Sequence, residues 1–234
     1  MIEWRAVRGG IARVGAVVAG LAAWGGVAAP AQAQDLADFD YENLSFRGIG
    51  IEAGRIFPTR VDQDFSYGVR LDLGYLGPGL RITPTVGYWS SRLKDGEVRE
   101  LEVRLNELVD AQNPAGVPPA DVDLGRIDWS DLSLGVDAHL VWSVPFGLLT
   151  YLGAGAAAHI MNGDGEAIAG TFIEDLLDTV TAGFNVHTGV EVPFDDFRFY
   201  GTVRYEIMGD LRYGEVRIGT QYMLGPSAPG EGGR

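Results

Sequence analysis

The segment Phe65–Tyr75, FSYGVRLDLGY, sets Phe65, Tyr67, Val69, Leu71, Leu73 and Tyr75 on one parity. Ser66, Gly68, Arg70, Asp72 and Gly74 fall on the other. Successive side chains of a strand point to opposite faces, so this alternation specifies a strand with two chemically different sides. One side is wholly apolar with an aromatic at each end. The other is small or charged.

The pattern recurs along the chain. Further strands are expected at 44–56, 80–89, 130–142, 148–161, 183–192, 197–207 and 211–224, which with 65–76 makes eight. Phe46 and Arg47 break the first parity, so that strand begins near Gly48 or carries a bulge. Pro84 cannot donate to a ladder and is awkward in a closed sheet. Connections at 77–79, 144–147, 193–196 and 208–210 are short; those at 57–64, 94–127 and 163–181 are longer. Eight strands joined this way specify an all-β, antiparallel up-and-down barrel with tight turns at one end and loops at the other. In the 94–127 loop, Val98, Leu101, Leu105, Leu108 and Val109 recur at helical spacing and predict a short helix ending before Asn113-Pro114. A second short helix is expected over 171–179. The acidic run 162–166 lacks EF-hand spacing and is read as a solvated loop.

Alternation alone does not say which face is inside. A soluble barrel buries its apolar face, and a membrane barrel turns that face to lipid. Aromatics decide for lipid. Tyr75, Trp142, Phe199 and Tyr222 fall near one end of the apolar faces; Phe65, Tyr67, Tyr88, Phe184 and Tyr205 fall near the other. Such girdles flank a hydrocarbon-spanning band. The opposite parity then fills a narrow lumen. Glu52, Arg70, Asp72, Asp137, His187, Glu191, Arg204, Glu206, Glu215 and Arg217 are its expected charge network. Arg70, Arg204 and Arg217 are the expected partners of Glu52, Asp72, Glu206 and Glu215, because buried charges must be paired.

Composition narrows the functional classes. The net charge of −14 argues against nucleic-acid binding. There is no cysteine, and the three histidines lack metal-type spacing. No metal site, cofactor or catalytic residue is expected. His187 is followed by Thr188, and no nucleophile stands beside His159, so the chain is read as a non-enzyme. Arg5, Arg8 and Arg13, the apolar run from Val14 to Ala29 and the Ala31-Gln32-Ala33 site form a signal peptide at 1–33. A lead at 34–43, the barrel at 44–224 and a disordered Gly/Pro-rich tail at 225–234 complete the expected organisation.

Signal peptide, alternating strands, loop asymmetry and charged lumen together resemble the OmpA/OmpX-like small outer-membrane β-barrel superfamily. The resemblance covers about residues 44–224 and departs at the C-terminus, where Tyr222 is followed by Met223, Leu224 and a tail rather than ending the chain. It implies a transmembrane barrel of the cell outer membrane, partnered by outer-membrane lipid and expected to be monomeric, with acidic extracellular loops and no named extracellular partner. A structural or interaction role ranks first, a small-solute or ligand channel second, and a lipid-modifying enzyme third.

Overall fold

The computed structural model describes residues 44–112, 118 and 121–224. The expected signal peptide, lead and tail lie outside the described residues. The strands are β1 (Gly48–Pro58), β2 (Asp64–Asp72), β3 (Tyr75–Gly77), β4 (Leu80–Arg92), β5 (Asp128–Val144), β6 (Leu148–Asp164), β7 (Thr179–Phe194), β8 (Phe197–Met208) and β9 (Leu211–Met223). Each pairs antiparallel with its neighbours, and β1 pairs with both β2 and β9, which closes the sheet. β2 and β3 are two halves of one stave facing β4, so the result is an eight-stranded up-and-down barrel. Helix α1 (Asp95–Gln112) and helix α2 (Phe172–Leu177) sit in the two long loops, close to their expected positions.

Following the pairing around from Gly50 passes Arg70, Thr85, Gly135, Ala157, Gly183, Met208 and Leu211. The β9–β1 ladder, extended by the Thr59 N–H donating to the Arg212 carbonyl, returns that path to Arg60, a stagger of ten residues from Gly50. With strand rise about 3.3 Å and strand spacing about 4.8 Å, that stagger tilts the strands by about 40°. The longest staves, β5 and β6, have 17 residues each. They outrun the strands expected from alternation because their loop-end rows turn polar outside while remaining in the ladder.

One stave departs from the expected parity. Gly74 adopts φ +76°, and Tyr75 is buried at 2% exposure rather than facing outward in a girdle. Across the ladder, Pro84 stands close to the irregularity. Ile82 and Pro84 share a parity, and Ile82 makes both its hydrogen bonds toward Leu73 and Gly74. The missing N–H of Pro84 therefore falls where the β2–β4 pairing ends at Arg70–Thr85 and the β3–β4 pairing has not begun. Asp72 fixes the irregularity by accepting from the Gly74 N–H at 2.8 Å. The break flips the parity of β3, sending Tyr75 inward and Leu76 outward.

Elsewhere the two faces are as different as the sequence requires. Outward Ile51, Phe184 and Ile218 are 64–70% exposed, whereas inward Glu191 is 0% and Arg81 1%. A closed sheet with charge inside and a largely apolar exterior is stable against hydrocarbon and not against water. Among the described residues no helix is long and apolar enough to cross a membrane.

At the loop end the lumen is capped by an apolar core. Ile56, Trp89, Trp129, Met161, Met208, Leu211 and Tyr213 rise from the staves. Val61, Leu93, Val98 of α1, Leu124, Ile127, Ile168 and Ile173 of α2 close over them. Lys94 pins the start of α1 by donating to the Pro58 and Thr59 carbonyls, and Arg60 pairs with Glu97 at 2.6 Å. Gly74→Val should lower the thermal unfolding midpoint, because a Cβ there runs into Arg47 and φ +76° costs a branched residue about 1–2 kcal/mol or more. Unchanged melting of the detergent-solubilised variant would show that the irregularity is unimportant.

Candidate functional site

The inward parity of the staves builds one continuous polar column. All ten residues that parity assigns to the interior line it, with side-chain exposure of 9% or less. Their partners are arranged in tiers.

Glu191 anchors the tier nearest the turns. Its carboxylate accepts from Arg70 Nη2 at 2.9 Å and from Arg81 Nη1 and Nη2 at 2.9 and 2.7 Å, with Arg198 Nη1 at 3.4 Å. Asp72 faces Arg198 at 3.3 Å and accepts from Gln221 Nε2 at 3.1 Å. Gln221 in turn accepts from Arg70 Nε at 2.7 Å. Tyr75, Val141, Leu149 and Tyr151 form a small apolar plug at this end.

In the middle tier the Arg70 guanidinium lies 3.3 Å from the Tyr200 ring centroid, and the Tyr200 hydroxyl donates to Glu52 at 3.2 Å. Arg217 pairs with Glu52 and with Glu215. Arg204 pairs with Asp137, which also accepts from Asn185 Nδ2 at 3.2 Å. His139 stacks on Tyr151 with centroids 4.5 Å apart and meets His187 edge-on at 4.8 Å. In the tier under the cap, Ser66 donates to Glu215, Arg204 lies 3.6 Å from Glu206, and His159 sits between Asp131 at 2.8 Å and Glu206 at 3.5 Å.

Pairing by sequence parity therefore needs correction in part. Arg217 does meet Glu52 and Glu215, and Arg204 meets Glu206. Arg70 takes Glu191 instead, and Asp72 takes Arg198 and Arg81. The ten expected residues omit Arg81, Arg198, Asp131, His139 and His159, all buried and all in the network. Each lies on the inward parity of its strand. Arg81 and Arg198 are one residue inside their strand starts, where alternation carries least weight.

Asp137, His139 and His187 bring ligand atoms within 4.8 Å of one another, the spacing a metal ion needs. Their other contacts fit a hydrogen-bond network better. Arg81 donates to His139 Nδ1 at 2.9 Å, which fixes that nitrogen as acceptor and leaves the proton on the other. Asp137 is neutralised by Arg204. His187 Nδ1 donates to Asn185 Oδ1 at 2.7 Å, the orientation set by Asn185 donating to Asp137.

The column leaves almost no free space. The cavity among Glu52, Arg70, Asp137, His139, Tyr151, His187, Arg204 and Arg217 measures about 10 Å³. That is the volume of about one water position.

No family model matches this sequence, and no curated protein matches it. Among solved structures, the chain is similar to Neisserial surface protein A at 17% identity, covering 78% of this chain and 100% of that one with TM-score 0.48. It is also similar to Ail, the attachment invasion locus protein of Yersinia pestis, at 12% identity, 78% and 100% coverage and TM-score 0.43. A third similarity is to the N-terminal β-barrel domain of Pseudomonas aeruginosa OprF, at 13% identity, 77% and 100% coverage and TM-score 0.41. All three are small eight-stranded outer-membrane barrels. For this chain the fold rests on its own closed pairing and inverted faces.

Removing one member of a buried ion network strands its partner, at about 3–5 kcal/mol. Arg70→Ala should therefore lower the melting temperature of the folded barrel while leaving membrane insertion intact. Arg126→Ala, which removes an exposed pair with Asp128, should change little. Equal melting of parent and Arg70→Ala would refute the structural role of the network.

Proposed function

We propose that this chain is a non-enzymatic integral protein of the cell outer membrane, with its loop end outside, serving a structural or interaction role through its acidic loop surface. The observation that carries the reading is the occluded lumen. A residual cavity of about 10 Å³ between an apolar cap and an apolar plug offers no path for a solute. What remains available to the surroundings is the exterior. Glu100, Glu107, Asp121, Asp123, Asp164 and Glu166 are exposed on the loop-end segments and give that surface its acidic character.

A lipid-modifying reaction at the outer leaflet needs its acid–base group in contact with lipid. His139, His159 and His187 are all inside the barrel at 1–3% exposure, which supports the non-enzymatic reading. The channel alternative meets the same packed column.

Recording from planar bilayers containing the purified full chain separates the readings. The expected result is an unchanged baseline at moderate voltage. Reproducible single-channel steps from the purified protein would overturn the occluded-lumen reading in favour of a pore.

A further inference from the structure

Two outward-facing arginines interrupt the apolar belt. Arg55 on β1 is exposed and lies between Ala53 and Phe57 on the outward parity. Across its two ladders it faces Phe65 of β2 and Val216 of β9. Its outward neighbours are thus all apolar. Arg212, also exposed, stands on β9 beside Thr59, two outward positions closer to the loop end than Val216. Neither arginine side chain makes an ion pair or hydrogen bond among the described residues, whereas neighbouring Arg60 is paired with Glu97.

Between them lies Gly214. It is the middle of a three-strand row, Tyr205–Gly214–Phe57. A Cβ at Gly214 would meet nothing within 4 Å. The surface therefore carries a notch walled by two aromatic residues, with Arg212 above it and Arg55 diagonally below. From Val216, the partner of Arg55, to Arg212 is four residues, roughly 13 Å along the strand at about 3.3 Å per residue.

A guanidinium surrounded by apolar outward neighbours must either reach the membrane boundary or find an anion. This pair does not belong to a general basic surface, since the chain carries −14. Planar guanidinium forks match phosphate oxygens in bidentate geometry, and aromatic walls suit the headgroup level. We infer that Arg55 and Arg212, flanking Gly214, form a docking notch for the phosphate-bearing headgroup of a lipid in the loop-end leaflet. This rests on the outer-membrane reading given above, because that reading supplies the leaflet.

The test uses the full chain in detergent micelles, titrated with bis-phosphorylated lipid A, with the same lipid after removal of its phosphates, and with phosphatidylcholine. Bound lipid is counted by native mass spectrometry. The parent should prefer the phosphorylated form. Arg55→Gln/Arg212→Gln should lose about fivefold in affinity for each arginine, about 25-fold together. Arg99→Gln on α1 should bind as the parent does. Equal affinity of the parent for phosphorylated and dephosphorylated lipid, or parental affinity in the double variant, would overturn the proposal. Heat-modifiable gel mobility checks that each variant is folded. If the double variant loses it, Arg212→Gln alone, at the strand end, carries the test with a loss of about fivefold expected. Absence of heat-modifiable mobility in the parent would instead count against the outer-membrane reading itself.

Discussion

Every ionised side chain on the inward faces of this barrel must find its counter-charge within the barrel, and the rest of the structure depends on that constraint. Hydrocarbon outside cannot solvate charge, and the closed sheet offers no edge through which water could. Glu191 shows how tightly the condition is met: three arginines from three different staves converge on one carboxylate with 0% exposure. The glycines serve the same end. A Cβ at Gly189 would strike Tyr151, and one at Gly219 would strike Tyr200. Both tyrosines lie beside the network, Tyr200 under Arg70 and Tyr151 under His139. The chain's 34 glycines reflect in part the space that so many large polar side chains need inside eight strands.

The polar column is bounded by apolar matter at both ends. The plug of Tyr75, Val141, Leu149 and Tyr151 owes its first member to the irregularity at Gly74, so a defect in the ladder becomes part of the closure. The cap has a different origin. Its apolar residues come half from stave ends and half from loops, so α1 and α2 are held by the barrel rather than swinging above it. Trp129 illustrates the join: its ring belongs to the cap while its indole N–H donates to the Leu177 carbonyl at 3.2 Å.

Much of this is legible in the sequence, and the limits have physical causes. Parity separates the two faces and the aromatic girdles say which is inside, so together they assign Glu52, Asp137 and Arg204 to the lumen. Parity does not contain the stagger between strands. Arg70 and Glu191 are 121 residues apart and meet because of the accumulated stagger around the barrel, which no single strand encodes. Tyr75 leaves its expected girdle for a related reason. The flip follows an extra residue at Gly74 opposite Ile82, close to a proline on the neighbouring strand, and only the pairing shows where it falls. The outer girdle residues Phe65, Tyr67, Tyr88 and Phe184 stand outward as alternation requires, since nothing disturbs the ladders there. The loop-end extensions of β5 and β6 are hidden from alternation because Asp128, Asn162 and Asp164 are polar residues on the outward parity above the belt.

The seam between β1 and β9 has a consequence for how the molecule is assembled. Bonds that tie the first hairpin to the last stave run inside the wall: Glu52 to Arg217, Ser66 to Glu215 and Arg70 to Gln221, over separations of 165, 149 and 151 residues. None can form until the C-terminal strand arrives. A partly assembled sheet would therefore hold Glu52, Arg70 and Asp72 with part of their counter-charge missing, facing a gap open to hydrocarbon. Long-range β pairing of this kind is intrinsically slow. Closure is thus the step at which electrostatic satisfaction is completed, and the seam, fastened from within, is a poor candidate for a lateral gate.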